Sequence, residues 1–330
     1  MLQLPNDKAP TGALLEDYLA AGGAPLSGPA AIVAAIAKGC PPLAARLAAG
    51  RLPGDPAELV GNNESGDAQK ALDVGAHLHM LEALKGSGIR LVLSEEAEEI
   101  VTLDENGQWD IAIDPIDGSG SIGIGAPLGL LFAIFPAAPE GFLRTGRSVV
   151  AAGYVSFGHS IDLGWSLGQG VHIATFDAEA GTFRLARENV KLKSEAKTLA
   201  YNASNERNWH PGLKKWVEDI RLGKEGPRGR DFNMRWLGAA VGDLHRIVLQ
   251  GGVFLYPADR RKGYEQGRLR TLYEAFPMAF IIEQAGGMAT DGVNPVLDRM
   301  PKDHHEHCPL VFGASEEVAL IARYLTENKD

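Results

Sequence analysis

The residues with the clearest chemical potential are carboxylates gathered where apolar strands end. Asp114, Pro115, Ile116, Asp117, Gly118 and Ser119 follow a run in which Trp109, Ile111 and Ile113 alternate with Asp110, Ala112 and Asp114. That alternation is the pattern of a half-buried strand. Proline has no N–H to give to a ladder, so Pro115 predicts a turn after Asp114 that swings Asp117 back beside it. Gly118, Ser119 and Gly120 then let the backbone approach a ligand closely, and the free N–H groups of a helical turn starting there would hold a phosphate. Glu95 and Glu96 follow a second apolar run, Leu91-Val92-Leu93. Carboxylates packed together repel one another unless protons or cations intervene. Magnesium takes hard oxygen ligands and shares its shell with water or substrate, and carboxylates from two neighbouring strand ends can bridge two such ions about 4 Å apart. Either motif alone is a common surface feature, a turn or a solvated loop. The two together, each just after an apolar strand, point to a metal site acting on phosphate.

Layers of sheet and helix must hold these groups. The 330 residues suit two domains or one large layered one. Residues 11–50 read as helical and alanine-rich, interrupted at Gly22-Gly23 and at Pro41-Pro42. Ala71, Leu72, Val74, Leu78 and Leu81 have helical spacing and predict a helix from Asp67 to Lys85, ended by Gly86-Ser87-Gly88. Strands are expected at 90–94, 109–114, 129–135, 148–157, 171–176 and 182–185, the last two separated by a turn around Asp177 and Gly181. From Val190 to Lys197 the chain becomes charged, which places a boundary between an N-terminal domain, 1–190, and a C-terminal domain, 191–330. Beyond it, strands at 198–202, 253–256 and 309–313 alternate with helices at 235–250, 272–284 and 315–327. Gly251-Gly252 and Gly286-Gly287 close the first two helices as glycine caps do. The alternation predicts a mixed α/β fold of stacked sheets and helices.

The formal net charge of -10 argues against nucleic acid and anionic membranes as partners. It allows an anionic substrate if bound cations reverse the local charge. No apolar stretch is expected to span a bilayer, since Leu128 to Pro136 is too short. The N-terminus lacks the charged start and apolar run of a signal peptide. Cys40 and Cys308 are too far apart and too few for a disulfide framework or zinc ribbon. These features predict a cytoplasmic enzyme. His304-His305-Glu306-His307-Cys308 looks like a metal tract, but ligands so close in sequence rarely form one closed zinc site. His245 reads as structural, and Arg260-Arg261-Lys262 as a solvated loop that could lend positive potential to a bound phosphate.

Taken in order, several motifs resemble class I fructose-1,6-bisphosphatases, within the magnesium-dependent, lithium-sensitive phosphatases that include inositol monophosphatases. They are Gly66-Asp67-Ala68-Gln69-Lys70-Ala71-Leu72-Asp73-Val74, Ser94-Glu95-Glu96, Asp114-Pro115-Ile116-Asp117-Gly118-Ser119, Gly252-Val253-Phe254-Leu255-Tyr256-Pro257, Leu272-Tyr273-Glu274, Pro277-Met278-Ala279 and Glu283-Gln284-Ala285-Gly286-Gly287-Met288-Ala289-Thr290. The resemblance implies a layered αβαβα fold with two sheets sandwiched between helices. It implies hydrolysis of the 1-phosphate of fructose 1,6-bisphosphate by a magnesium-activated water, in gluconeogenesis or the Calvin cycle. About two or three Mg2+ ions per subunit are implied, with Mn2+ as a substitute.

Residue by residue, the resemblance makes Glu95, Asp114, Asp117 and Glu274 metal ligands, with the Ile116 carbonyl as a backbone ligand. Asp67, Asp73 and Glu96 form the catalytic set. Asp67 would help hold a further metal or the leaving phosphate, and Asp73 and Glu96 would orient and deprotonate the water. Asp117, Gly118, Ser119 and Gly120 would meet the 1-phosphate. Asn205, Arg235, Trp236, Tyr256 and Arg268 would form the sugar and 6-phosphate side. Arg235 would come from a neighbouring subunit of a homotetramer, its guanidinium suited to bidentate phosphate binding. Trp236 and Asn208 stand where the family has tyrosines, and Arg268 where it has lysine, which affects sugar recognition. Gly120 replaces a serine. The N-terminal AMP pattern is missing, with Gln108 and Trp109 in place of a Lys-Tyr pair, as are the paired cysteines of light-activated plastid enzymes. Three readings compete. One is a dual fructose and sedoheptulose bisphosphatase. Another is an inositol-monophosphatase-like or nucleotide phosphatase, whose late carboxylate comes from a Trp-Asp pair. The third is a non-catalytic binding protein.

Overall fold

A strand buried on both faces must lie between two covering layers, and the nine-residue strands at 109–117 and 128–136 are of that kind. The computed structural model describes residues 4–6, 8–9, 11–20, 25–62 and 68–327. The chain opens with α1 (Leu15–Leu19), α2 (Gly28–Ala48), the paired β1 (Leu59–Asn62) and β2 (Ala68–Lys70), and α3 (Ala71–Leu84). Then come β3 (Ile89–Ser94), β4 (Val101–Thr102), β5 (Trp109–Asp117), β6 (Leu128–Pro136), β7 (Ala151–Phe157), β8 (Ile161–Ser166), β9 (Val171–Asp177) and β10 (Thr182–Val190). They form one sheet in the order β10-β9-β8-β7-β6-β5-β3-β4. All neighbours are antiparallel except β3 and β5, which are parallel. Along β6, Leu130, Phe132 and Ile134 share a core with Ile32, Val33, Ile36 and Cys40 of α2. Leu131, Ala133 and Phe135 point into a different core on the other face.

The second half supplies β11 (Thr198–Ala200), α4 (Pro211–Arg221), β12 (Asn233–Met234), α5 (Ala240–Gln250), β13 (Val253–Tyr256) and β14 (Leu269–Arg270). After these come α6 (Phe276–Gln284), β15 (Met288–Thr290), β16 (His307–Cys308), β17 (Leu310–Gly313) and α7 (Ser315–Glu327). The second sheet runs β12-β11-β13-β17-β15, and β14 pairs with β16 apart from it. Helices α5 and α6 fill the space between the sheets. Val241, Leu244, Ile281 and Ile282 pack with Leu131 of the first sheet and with Phe254 and Phe312 of the second. Helices α4 and α7 cover the outer face, where Trp216, Val217, Val318 and Ile321 meet Leu199, Val253, Leu255 and Val311. The layers are helix, sheet, helix, sheet, helix, which is the αβαβα mixed fold expected from the sequence.

Several elements differ from the sequence expectation, each for a local reason. Pro41 and Pro42 lie inside α2 rather than interrupting it. Two prolines remove two backbone hydrogen bonds, but buried Ile36, Ala37, Cys40 and Leu43 flank them and hold the helix to its neighbours. By length and composition alone α2 could cross a bilayer, contrary to the expectation that no stretch could. Its apolar side instead packs into the core shared with the first sheet. Gly22, Gly23 and Asp67 fall outside the described residues, and α3 starts at Ala71, preceded by the β1–β2 pair. The strand β8 and the helix α4 were not expected. The helix predicted from Arg235 begins only at Ala240. The Arg235 N–H donates to the Leu199 carbonyl at 2.8 Å, so the chain stays extended beside the sheet until the Asp243 carboxylate accepts the Leu237 N–H at 3.0 Å. The helix predicted from Leu272 opens with a wide π turn over Thr271–Ala275. Pro277, with no N–H, cannot make the regular helical bond back to Tyr273.

Candidate active site

Strand β5 does not stop at Asp114 as the proline suggested; it continues to Asp117 through a bulge. Asp114 is paired with Leu131 and Asp117 with Gly129, so Pro115 and Ile116 together oppose one residue of β6. An extra residue in a strand shifts the alternation of faces by one position. Asp114 and Asp117, three positions apart, would otherwise point to opposite faces. The bulge puts both toward the middle layer, while Ile116 joins Ile111 and Ile113 in the opposite core. Proline therefore does what was expected of it, bringing the two carboxylates together, but by a bulge rather than a turn.

Three further elements converge on this point. Strand β3 runs parallel to β5, and the Glu95 N–H donates to the Ile113 carbonyl at 3.1 Å. Its side chain thereby hydrogen-bonds Asp114. The N-terminus of α5 presents the Val241 N–H to Asp117 Oδ2 at 2.7 Å, a charge-assisted bond that also gains from the helix dipole. The π turn before α6 brings in Glu274, whose carboxylate accepts the Arg270 N–H. Asp114, Asp117 and Glu274 are all buried, and one oxygen from each lies within 4.8 Å of the others.

The electrostatics of this cluster are unfavourable as it stands. Desolvation is the leading cause in every case. It raises Glu95 to about 7, with Asp117 and Asp73 raising it further while Asp114 and the Arg270 guanidinium pull it down. Burial raises Asp117 to about 6, against N–H donors from Val241, Ala240 and Gly118. Asp114 and Glu274 are pushed well above the usual carboxylate range by burial and then by their acidic neighbours. An all-oxygen, strongly anionic, buried set suits a hard divalent cation, whose charge would remove the repulsion.

Around the cluster, Asp73 is buried at the first turn of α3. Its Oδ2 accepts the Lys70 N–H at 3.2 Å, and Oδ1 has no hydrogen-bond partner among the described residues. Such an orphaned atom is costly unless a ligand or water meets it. Glu96 is half-buried, its carbonyl accepting the Gln69 amide at 2.9 Å. Gly118 adopts φ 88°, and a Cβ there would stand 2.6 Å from the Ala239 Cβ, so only glycine fits against the start of α5. Ser119 and Gly120 follow in a short 3-10 turn, and the Lys70 ammonium donates to the Ser119 carbonyl at 2.5 Å.

A second group gathers around Tyr256, which is close enough to Glu274 to feel its charge. Buried Asn205 sits on the 3-10 segment Ala203–Asn208. The Trp236 ring stacks on Phe254 at 5.5 Å and meets Tyr256 edge-on at 6.2 Å. Burial raises the Tyr256 hydroxyl, with Tyr264 and Glu274 adding to the rise and Arg268 and Arg261 opposing it. Tyr256 thus lies between a cationic loop and the carboxylate cluster. The guanidinium carbons of Arg261 and Arg268 lie 3.9 and 5.0 Å from the centroid of the Tyr264 ring, so Arg261 is more than a solvated loop residue. Arg235 is not drawn into this group within the chain. It is exposed, and its Nη1 donates to the Met234 carbonyl at 2.8 Å.

Sequence reasoning missed Lys70, Arg270 and Asp243. Arg270 ends β14 two residues after Arg268, a spacing that could have flagged it. Lys70 carries no local signature, because its partner Ser119 lies far along the chain, whereas the partners of Asp243, Leu237 and Arg246, are close in sequence but lie in different turns of the backbone. His245 is structural as expected, its Nδ1 hydrogen-bonded to the Tyr154 hydroxyl at 3.0 Å.

Comparison with known proteins agrees with this geometry. The family models described as fructose-1-6-bisphosphatase, N-terminal domain and C-terminal domain match residues 54–188 and 192–326. A class 1 fructose-1,6-bisphosphatase of Brucella suis is 52% identical over 296 residues, covering 89% of this chain and 87% of that one. That of Brucella anthropi is 51% identical over 317 residues, covering 96% and 93%. The crystal structure of Leishmania major fructose-1,6-bisphosphatase in its holo form superposes with a TM-score of 0.87 at 27% identity, over 96% of this chain and 99% of that one. Its T-state structure gives 0.83 at 26% identity. With both halves matched in order and more than half of the aligned residues shared with the Brucella enzymes, the chain belongs to the class 1 fructose-1,6-bisphosphatase family.

Proposed function

We propose that this chain hydrolyses the 1-phosphate of fructose 1,6-bisphosphate to give fructose 6-phosphate and phosphate. The observation that carries the reading is the buried cluster of Asp114, Asp117 and Glu274, with Glu95 hydrogen-bonded to it and a cationic, aromatic surface beside it around Tyr256. Mg2+, the cofactor we assign to the cluster, would neutralise phosphoryl oxygens and acidify water.

The chain's own residues divide the remaining work. Glu95, Asp114, Asp117 and Glu274 hold the cation, with the Ile116 carbonyl close by on the bulge. The turn from Gly118 to Gly120 receives the 1-phosphate, and Lys70 fixes that turn from behind through the Ser119 carbonyl. Asp73, with its unpartnered Oδ1, orients the attacking water and takes its proton together with Glu96. Asp67, outside the described residues, we assign to the same catalytic set on the family resemblance. Asn205, Tyr256, Trp236 and Arg268 bind the sugar and the distal phosphate. Arg235, exposed and hydrogen-bonded to the adjacent Met234 carbonyl, serves a neighbouring subunit in a homotetramer. We place the enzyme in the cytoplasm, where its two buried, unpaired thiols would stay reduced.

Phosphate release from a panel of sugar phosphates tests the reading. Fructose 1,6-bisphosphate should be turned over only with Mg2+ or Mn2+ present, and far faster than inositol phosphate. Better turnover of the monophosphate would refute it. A sedoheptulose 1,7-bisphosphate arm is warranted because Trp236 stacks as an indole where the family has a tyrosine. Comparable rates on both bisphosphates would identify a dual enzyme.

A further inference from the structure

The tract from His304 to Cys308 has the residue types of a metal site, but its contacts run to the turn that carries Glu274. Strand β16 pairs with β14, with Cys308 opposite Leu269 and His307 opposite Arg270. Next to them, the Thr271 N–H and hydroxyl both donate to the Glu306 carbonyl, at 2.8 and 2.9 Å. Arg270 Nη1 donates to the His305 carbonyl at 2.7 Å. The Tyr273 hydroxyl is hydrogen-bonded to His305 Nδ1 at 2.9 Å, and the two rings stand edge-on at 6.0 Å. The tract itself is anchored from outside. The Glu306 carboxylate accepts from Arg299 Nη2 at 3.0 Å and from the Lys302 N–H at 2.8 Å, and Arg299 Nη1 reaches Asp291 at 2.7 Å.

A π turn is rare and appears mostly as a single turn within an α-helix, often at a functional site. Thr271–Ala275 is such a turn, and Glu274 must leave it at the angle that reaches Asp114 and Asp117. Tyr273, the neighbouring residue, is fully buried, so its hydroxyl needs a partner at that depth.

We propose that His305 is a positioning residue for the metal site. Its ring fixes Tyr273, and with it the turn that aims Glu274 at Asp114 and Asp117. Its carbonyl holds the Arg270 guanidinium toward Glu95 and Glu274. The proposal rests on the reading of the carboxylate cluster as a metal site. It uses the tract as a brace, not as a set of ligands.

The test uses the full chain and four variants: His305→Phe, Tyr273→Phe, the double variant, and His305→Asn. Phenylalanine fills the ring space without a hydrogen bond, and asparagine restores a polar atom near the tyrosine hydroxyl. Calorimetric titration of Mn2+ into the metal-free proteins is read beside kcat and KM. His305→Phe should weaken Mn2+ binding and lower kcat, each by about tenfold or more, with KM for the bisphosphate nearly unchanged. His305→Asn should recover most of both. Tyr273→Phe should show the same defect, and the double variant should be no worse than the poorer single one. Wild-type Mn2+ affinity in His305→Phe, or losses that multiply in the double variant, would overturn the proposal. If His305→Phe does not fold, Tyr273→Phe decides alone, and unchanged metal binding there refutes the brace. Failure of the wild type to hydrolyse the bisphosphate would instead sink the functional reading, and the metal titrations would still judge the brace.

Discussion

Removing the divalent cation should make the folded protein lose stability as pH rises between about 4 and 7, the reverse of the usual behaviour of paired carboxylates. The sign follows from the direction of the shifts. Raised carboxyl groups bind protons more tightly in the folded chain than in the unfolded one. The folded state therefore carries no penalty below the unfolded values, near 4, and one that grows with pH until each folded value is reached, above which it is fully present. Asp117 sits at about 6 against an ordinary 3.8, which corresponds to about 3 kcal/mol once it is ionised. Glu95 sits at about 7 against 4.5, again about 3 kcal/mol. The two share neighbours and titrate together, so the combined loss is about 3–6 kcal/mol rather than a simple sum. That is a large part of the stability of an ordinary domain. Urea unfolding in the presence of a chelator, across this pH range, reads the loss directly. The same series with excess Mg2+ should be nearly flat at its high-pH end, because the cation holds the carboxylates ionised. Stability in chelator that is constant or rises from about pH 4 to 7, or Mg2+ protection that does not grow with pH, would refute the reasoning.

Two further substitutions test other parts of the site. Gly118→Ala forces an L-residue to φ 88° with its Cβ 2.6 Å from Ala239; the strain and the close contact together should cost about 2–4 kcal/mol, measured by urea unfolding with Mg2+ present. Its kcat should fall as well, since the turn is displaced from the start of α5, and wild-type stability would show that the backbone there relaxes freely. Arg235→Ala should raise KM for the bisphosphate much more than it lowers kcat, because it removes binding rather than chemistry; an unchanged KM in steady-state kinetics would remove Arg235 from the substrate site.

Local spacing encodes local geometry, and that is what could be read directly from the chain. The alternation through Trp109, Ile111 and Ile113 gave a strand, and Asp114-Pro115-Ile116-Asp117-Gly118 gave a pair of carboxylates beside a glycine turn. The period-2 and period-3.6 patterns also yielded most of the strands and helices, and with the family resemblance the layered fold. Where prediction slipped, a distant partner had overruled the local signal. Packing on both sides kept α2 continuous across Pro41 and Pro42. The ladder bond to Leu199 kept Arg235 out of α5. The pairing with Gly129 and Leu131 turned an expected break at Pro115 into a bulge.

The sequence by itself determined which chemistry was available: hard oxygen ligands, a close-approach glycine turn, and arginines and a tyrosine suited to a second phosphate. Only the tertiary structure decided which of these groups act together. Glu274 reaches Asp114 from more than a hundred residues away because α6 is packed between the two sheets, and no spacing rule spans that distance. Nor could composition tell that the histidines at 304, 305 and 307 belong to a brace rather than a metal site. A side chain's donors are a property of its residue type, but its partners are fixed by the packing of remote segments. The same distinction applies to the carboxylates. Their identity was plain from the chain, whereas their raised affinity for protons, and so their demand for a cation, arises from being buried side by side.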